Sequence, residues 1–356
     1  MRFRGSSGEL KRFRVVSFAM TRTRLTLKRL WPVLFACALL FSTTASAQTP
    51  SSTLLVLEKN DKTLAAVDPT SLKVLARAPA GEDPHEVVAS QDGKYAYISN
   101  YGAFRNPQHT ISIVDLITQK ALPPVDLGTL LAPHGLAMVS GKVYFTAEGS
   151  KAIGRYDPAT HKIDWTLGLG QNRTHMLVVN SDDNRIFTSN VNSDSISIID
   201  RDPKADVSGW TEDVIPVGKG PEGFDVSPDG KEVWAANSHD GTLSIIDVAS
   251  RTVVQTIDLH NKFSNRVKFT HDGKLVLVSD LGTGDLVVLD AAARKEIKRL
   301  KLGKGAAGIL IAPDGEHAYI AVSADNYIAV VDLKTLTVTG RIATGNGPDG
   351  MAWANH

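Results

Sequence analysis

The sequence predicts an all-β chain folded as a single seven-bladed β-propeller with four antiparallel strands in each blade. An apolar run that ends in Asp recurs at intervals of 42 to 47 residues. These runs end at Asp68, Asp115, Asp157, Asp200, Asp247, Asp290 and Asp332. Turn sequences such as "SPDG", "THDG" and "APDG" recur in step with them. Seven units of about 43 residues match the repeat length of propeller blades.

Each unit divides into four short strands, which we call A, B, C and D. In the unit around residue 240 these are "EGFDVS", "EVWAANS", "LSIIDV" and "VVQTIDL". Alternation or short apolar runs between Gly, Asp and Pro are typical of strands, and Asp-Gly favours a tight hairpin between A and B. The Asp after strand C is expected to accept backbone N–H bonds in the C–D turn, which makes the seven Asp residues structural.

The two ends of the chain are out of phase with the repeat. The N-terminal part opens with B, C and D strands, "TLLVLEK", "TLAAVD" and "KVLARA", whereas the chain closes with an A strand, "PDGMAWAN". We therefore expect one blade to combine strands from both termini. Such a blade closes the ring and leaves no free edge around it.

Residues 1–47 are predicted to be an extension followed by a signal peptide. A basic stretch from Met20, "MTRTRLTLKR", precedes the apolar run "LWPVLFACALLF" and then "STTASAQ". This order is typical of secretory signals, with Met20 as the start and cleavage after Ala47. The alternative is an uncleaved membrane anchor, although the apolar run is shorter than the roughly 20 residues that span a bilayer. The domains are therefore 1–47 and the propeller at 48–356, in a periplasmic or secreted bacterial protein that meets the membrane only during export.

Charge and cysteine content exclude several classes of function. Residues 1–47 hold nine of the 39 basic and one of the 38 acidic residues, which leaves 30 against 37 and a net charge of −7. That balance argues against a nucleic-acid partner. Cys37, the single cysteine, lies in the signal segment, so disulfide and thiol chemistry are excluded from the mature part. We expect a monomer whose partner is a small molecule or a metal ion.

The unit "SPDGKEVWAANSHDGTLSIIDVASRTVVQTI" resembles the YVTN-repeat family of bacterial and archaeal surface and periplasmic β-propellers. "SNYG…TISIVDL" and "AVSADNYIAVVDL" carry the same pattern, and the resemblance extends from about residue 53 to the end. It implies the propeller fold. It implies little about function, because one fold hosts many activities. The stretch "SGKVYFTAEGSKAIGRYD" departs most from the pattern and is similar to streptogramin-lyase propellers.

The starts of the A strands are the most informative positions, because in a propeller they line the central channel. One equivalent residue can be read in each blade, and we call these residues the slot residues: His85, His134, His175, Glu222, Asn265, Ala307 and Asp349. Three histidines in consecutive blades followed by a glutamate form a ligand set for a first-row divalent metal. The predicted metal ligands are His85, His134, His175 and Glu222, for zinc, iron or copper. The alternative is that these histidines bond only to backbone carbonyls and water at a wet channel mouth.

Loops at the same mouth supply candidate ligand-binding residues. With slot positions included, these are Tyr101, Arg105, Arg173, Asn265, Arg266 and Asp349. Several cations over a histidine ring would suit an anionic or carbonyl-bearing ligand. No nucleophile elbow, phosphate loop or H-E-x-x-H motif occurs.

Three functions fit these observations. The first is an exported binding protein whose channel mouth captures a ligand, with a divalent metal in the His/His/His/Glu ring. The second is a metal-assisted lyase or lactonase acting on a lactone or cyclic ester, with His134 or His175 as the catalytic base. The likeness to streptogramin lyases favours this second function, since that family also places His and Glu at the propeller axis. The third is a cell-surface interaction module without a small-molecule site.

Overall fold

The computed structural model describes residues 52–103, 105–205 and 208–355, and they form seven four-stranded antiparallel sheets. The predicted signal segment with Met20, Cys37 and Ala47 lies outside these residues. Within the described part of the chain, no helix is long and apolar enough to cross a membrane. Among the residues described, the helical elements are four single turns of 3-10 helix, each joining a B strand to a C strand: Lys59–Asp61, Glu148–Ser150, Val191–Ser193 and Ser323–Asp325.

The strands are numbered β1 to β28 along the chain, and six blades are continuous in sequence. Blade 1 holds β4 (Pro84–Ala89), β5 (Tyr95–Ala103), β6 (Asn106–Asp115) and β7 (Lys120–Asp126). Blade 2 holds β8 (Pro133–Val139), β9 (Lys142–Ala147), β10 (Ala152–Asp157) and β11 (Lys162–Gly168). Blade 3 holds β12 (Thr174–Val179), β13 (Arg185–Asn190), β14 (Ser195–Arg201) and β15 (Trp210–Pro216). Blade 4 holds β16 (Pro221–Val226), β17 (Glu232–Asn237), β18 (Thr242–Asp247) and β19 (Thr252–Asp258).

Blades 5 and 6 follow the same order. Blade 5 holds β20 (Ser264–Phe269), β21 (Leu275–Asp280), β22 (Asp285–Asp290) and β23 (Lys295–Lys301). Blade 6 holds β24 (Ala306–Ile311), β25 (His317–Val322), β26 (Tyr327–Asp332) and β27 (Thr337–Ala343). The predicted fold class and blade count are confirmed.

Blade 7 combines the two ends of the described chain, as the phase of the repeat predicts. β28 (Pro348–Asn355) pairs antiparallel with β1 (Ser52–Glu58), which continues into β2 (Thr63–Asp68) and β3 (Lys73–Pro79). The seven A strands contact their neighbours in a closed ring, β4–β8–β12–β16–β20–β24–β28 and back to β4. Closure pairs or covers every inner sheet edge.

The hydrophobic core lies between blades. Seven clusters of buried apolar side chains fill the seven junctions, each drawing on two adjacent sheets. Between blades 1 and 2, for example, Ile111 packs in one cluster with Phe145 and Tyr156. The D strands show the alternating half-exposed pattern of an outer edge, as in β11. Blade-on-blade burial is the main stabilising contribution, since apolar area removed from water supplies about 25 cal/mol per Å².

Six of the seven repeated Asp residues accept backbone N–H bonds in the C–D turn, as predicted. Asp115, for example, accepts from the amides of Ile117 and Thr118, both at 2.9 Å. Asp200 is the exception, and the prediction for it is wrong. Its carboxylate accepts from the guanidinium groups of Arg185 and Arg251. The amides two and three residues after this Asp are not available, because Asp202 N–H donates to the Gly209 carbonyl at 2.9 Å and Pro203 has no N–H.

Candidate functional site

All seven slot residues line one cavity of about 500 Å³ at the channel mouth. Each is the second residue of its A strand. In every A strand the pairing with strand B is irregular at this point: Pro133 pairs with Ala147, but the next regular pair is Leu136 with Phe145. Such a bulge re-aims a side chain away from the regular pleat. The repeated irregularity is the local reason why distant slot residues meet.

Hydroxyl groups on the B strands hold the slot backbone from the neighbouring blade. Ser99 Oγ of blade 1 donates to the carbonyl of His134 at 2.7 Å, and Thr146 Oγ1 of blade 2 donates to that of His175 at 2.7 Å. Ser189 Oγ donates to the Glu222 carbonyl at 2.9 Å. The bulge frees these carbonyls from the strand ladder, and a buried carbonyl needs a donor. Blade-to-blade hydrogen bonds therefore set the positions of the slot residues.

His175 lies between two carboxylates. Its Nδ1 bonds to Glu148 Oε1, and its Nε2 lies 3.1 Å from Glu222 Oε1. Burial alone would lower the pKa of His175, but the charges of Glu222 and Glu148 outweigh burial and raise it to about 9. Burial likewise opposes ionisation of Glu222, yet His175 and Arg173 lower the pKa of its carboxyl to about 2. The site thus holds an imidazolium between two carboxylates at neutral pH.

His134 has the opposite protonation state. Its ring lies 3.7 Å, centroid to centroid, from that of His175, at an interplanar angle of 36°. Burial and the neighbouring positive charge of His175 hold the pKa of His134 well below its usual range, so the ring is neutral. Its Nδ1 is buried without a hydrogen-bond partner among the described residues. An unpaired buried polar atom costs free energy, and a native one calls for an explanation.

Glu148, which the sequence analysis missed, completes the most compact group. It begins the 3-10 turn after β9, is 7% exposed, and accepts the Tyr101 hydroxyl at 2.6 Å. His134, Glu148 and His175 each offer one ligand atom, and these atoms lie within 4.8 Å of one another. A signal existed in the sequence, since the B–C connections hold a second set of equivalent residues. Six of these residues follow directly on a B strand, namely Lys59, Glu148, Val191, Ser238, Leu281 and Ser323, and the equivalent Tyr101 lies within the longer β5.

His85 stands apart from that group. Its Nε2 lies 2.5 Å from Lys59 Nζ, and its Nδ1 lies 2.9 Å from the carbonyl of Asp83. An ammonium group only donates, so Nε2 accepts and Nδ1 carries the proton. Both ring nitrogens of His85 are therefore engaged, and its ring centroid lies 4.7 Å from that of His134 at an interplanar angle of 56°.

Arg173 reaches the two carboxylates that flank His175. Its Nε lies 3.4 Å from Glu148 Oε2, and one terminal nitrogen lies 3.9 Å from Glu222 Oε1. Its backbone has φ of 57°, in the left-handed region. The equivalent positions in blades 4, 6 and 7 are glycines: Gly220, Gly305 and Gly347. Asp83 and Ala132, at the same position in blades 1 and 2, also have positive φ, so this conformation belongs to the repeated turn before the A strands.

The remaining predicted ligand-binding residues divide into two groups. Asn265, Arg266 and Asp349 line the cavity with Tyr101 and Arg173. Arg266 is 8% exposed, and its terminal nitrogen lies 2.5 Å from Glu86 Oε1 on the opposite blade 1. Arg105 is exposed in the β5–β6 connection and is not among the residues that line the cavity.

Comparison with known proteins supports the fold and little more. No known protein-family profile matches the chain. Over 223 residues, or 57% of this chain, it is 25% identical to antigen Lp49 of Leptospira interrogans serogroup Icterohaemorrhagiae. The chain matches about half, 48%, of the length of that curated relative.

Solved structures align over most of the propeller at low sequence identity. A provisionally assigned 6-phosphogluconolactonase from Bacteroides uniformis aligns with a TM-score of 0.69 and 16% identity, covering 85% of this chain and 99% of that one. Hydrazine synthase from Kuenenia stuttgartiensis aligns with a TM-score of 0.62 and 20% identity, covering 76% of this chain and 89% of that one. At these identities the likeness is one of fold. The chain is a seven-bladed β-propeller similar in fold to these proteins.

Proposed function

We propose that the protein is an exported ligand-binding β-propeller whose channel mouth holds a divalent transition metal beside a small-molecule cavity. One observation carries the proposal: ligand atoms of His134, Glu148 and His175 lie within 4.8 Å of one another beside a cavity of about 500 Å³. Two imidazoles and a carboxylate form a known set for zinc, and they also suit iron or copper. His134 Nδ1 is buried without a hydrogen-bond partner among the described residues, as expected of a nitrogen that coordinates a metal ion.

Glu222 supports this assignment from the other side of His175. A histidine that binds metal through one ring nitrogen normally donates its other N–H to a carboxylate or carbonyl. Nδ1 of His175 bonds to Glu148, and its Nε2 lies 3.1 Å from Glu222 Oε1 in a close contact that is not aligned as a hydrogen bond. In this proposal Glu222 orients the ring, and Glu148 takes the place that the sequence analysis gave to Glu222. His85, engaged by Lys59, lines the cavity.

Metal analysis of protein purified without a His tag tests the proposal. We expect about one zinc, iron or copper per chain after reconstitution, and loss of that metal in His134→Ala/His175→Ala. The matched control is His109→Ala/His260→Ala, since both of these histidines are exposed. The control should keep the metal. A wild-type protein that stays metal-free, or a site variant that retains the metal, contradicts the proposal.

A metal-assisted lactonase or lyase acting on a cyclic ester is the second candidate. The shared fold with the provisionally assigned lactonase favours it. A bound metal would polarise the ester carbonyl. Screening the metal-loaded protein against lactones and cyclic depsipeptides separates the two candidates. Turnover that disappears in His134→Ala supports the enzyme, and binding without turnover supports the binding protein.

Export is the remaining part of the proposal and rests on the N-terminal residues alone. The basic stretch, apolar run and "ASA-Q" site argue for a cleaved signal. N-terminal sequencing of the protein expressed in bacteria tests this. We expect a mature terminus at Gln48 in the periplasmic or secreted fraction, and a full-length protein retained in the cytoplasm would contradict export.

A further inference from the structure

Two side chains that line the central cavity carry buried polar atoms without a partner among the described residues. Glu222 Oε2 and Asn265 Oδ1 are buried without a hydrogen-bond partner among the described residues. Both residues line the cavity, and each is 7% exposed. Leaving a buried acceptor unpaired is costly, so a ligand that fills this cavity should bring hydrogen-bond donors to these atoms. Asp349, at the same slot position in blade 7, adds a further carboxylate to the lining.

Cationic groups stand on another part of the same wall. The ammonium of Lys59 bonds to the neutral imidazole of His85 at 2.5 Å, and its carboxylate neighbour Asp83 lies 3.6 Å away. Its charge is therefore only partly neutralised by the protein. Arg266 also lines the cavity, with Glu86 as its ion-pair partner. A ligand carboxylate on this part of the wall could therefore accept a hydrogen bond from a positively charged donor, Lys59 or Arg266.

The surroundings of Glu222 decide which kind of donor the ligand carries. The guanidinium of Arg173 lies 3.9 Å from Glu222 Oε1, so a permanent positive charge already stands beside this carboxylate. A ligand ammonium would meet repulsion from this guanidinium, whereas a neutral hydroxyl would not. The two sides of the wall together therefore fit a molecule with hydroxyl groups and one carboxylate.

We infer that the cavity takes a small hydroxylated carboxylic acid, with its hydroxyls on Glu222 and Asn265 and its carboxylate toward Lys59. The volume of about 500 Å³ lies within the range of small-molecule sites. The inference rests on the proposed ligand-binding function and specifies its ligand class. A site built to bond hydroxyl groups rejects an analogue that lacks them, because the buried acceptors then stay unpaired.

Calorimetric titration with three probes tests the inference on the full mature protein. The probes are gluconate, hexanoate of the same chain length without hydroxyls, and myo-inositol without a carboxylate. We expect gluconate to bind about tenfold to a hundredfold more tightly than hexanoate, and more tightly than inositol. Equal binding of gluconate and hexanoate would mean that water satisfies Glu222 and Asn265, and would overturn the inference.

Two variants assign the ends of the ligand. Asn265→Leu should bring gluconate close to hexanoate, whereas Lys59→Met should weaken both acids alike and leave inositol unchanged. The control for the lysine variant is Lys219→Met, an exposed lysine paired with Asp194.

Thermal melts check that each variant is folded. The comparison of the three probes on the wild-type protein does not depend on any variant. If metal is bound at full stoichiometry but no probe binds, the ligand class is wrong and the metal site stands. If metal is also absent, the proposed function itself fails.

Discussion

His134 and His175 lie ring against ring, 3.7 Å between centroids, in opposite protonation states. Burial and the adjacent charge keep His134 neutral, whereas Glu222 and Glu148 keep His175 protonated. Two groups of the same type thus differ in charge because only one of them lies between carboxylates. The pair occupies equivalent positions in consecutive blades, so the asymmetry comes from neighbouring side chains.

The stability of the metal-free protein should fall as the pH rises above neutral. The pKa of His175 is raised to about 9 in the folded protein, against an ordinary value of 6.5. The stabilisation is therefore fully present below pH 6.5 and is lost as the pH rises through 9. Urea unfolding at pH 6.5 and 9.5 should show a loss of roughly 3 kcal/mol at most. The His175→Gln variant should not show this loss of unfolding free energy, and the control His260→Gln should still show it. If His175→Gln shows the same loss as the wild type, the pH dependence does not come from His175.

Metal affinity should show the opposite dependence on pH. The metal must displace the proton of His175, which stays bound up to about pH 9, whereas His134 is already neutral. Between pH 6 and 8 the logarithm of the zinc association constant should rise by about one per pH unit. Competition with a zinc indicator measures this slope. A flat profile would mean that His175 does not ligate the metal.

Thr146→Val should destabilise the junction between blades 2 and 3. The Thr146 hydroxyl donates to the His175 carbonyl at 2.7 Å and accepts the Gly135 amide at 2.9 Å. Valine keeps the shape but leaves both backbone groups buried and unpaired, which costs about 1–3 kcal/mol. Thr256→Val on the exposed outer strand β19 is the control and should change stability by less than about 0.5 kcal/mol. Equal effects of the two variants would argue against the inter-blade bond.

Gly223→Ala should disturb blade 5 through direct backbone contact. A Cβ at Gly223 would lie 2.3 Å from the Asn265 carbonyl oxygen and 2.7 Å from the Arg266 Cα. Backbone atoms cannot rotate away as a side chain does, so we expect a loss of about 1–3 kcal/mol. Gly168→Ala, which meets nothing within 4 Å, serves as the control in thermal melts. If Gly223→Ala is as stable as the wild type, blade 5 moves to accommodate the added Cβ at no cost in free energy, and the prediction is wrong.

Much of the cavity lining could be predicted because the repeat places equivalent residues at equivalent heights. Reading one position through seven units identified His85, His134, His175 and four further slot residues, all of which line the cavity. Glu148 was not predicted, because only the A-strand starts were compared and the first residues of the B–C turns were not. The engagement of His85 by Lys59 was also beyond sequence reasoning, since it joins a turn of blade 7 to a strand of blade 1.

The sequence by itself determined the all-β class, the seven blades, the closing of the ring by both termini and the residues facing the channel. These follow from periodicity, because alternation and turn chemistry repeat with the chain. Only the tertiary structure decided which side chains meet: Glu148 and Glu222 on His175, Lys59 on His85, and Arg266 on Glu86. The physical reason is that these contacts cross between blades. They depend on the bulge at each A strand and on the reach of individual side chains, and a one-dimensional repeat carries neither.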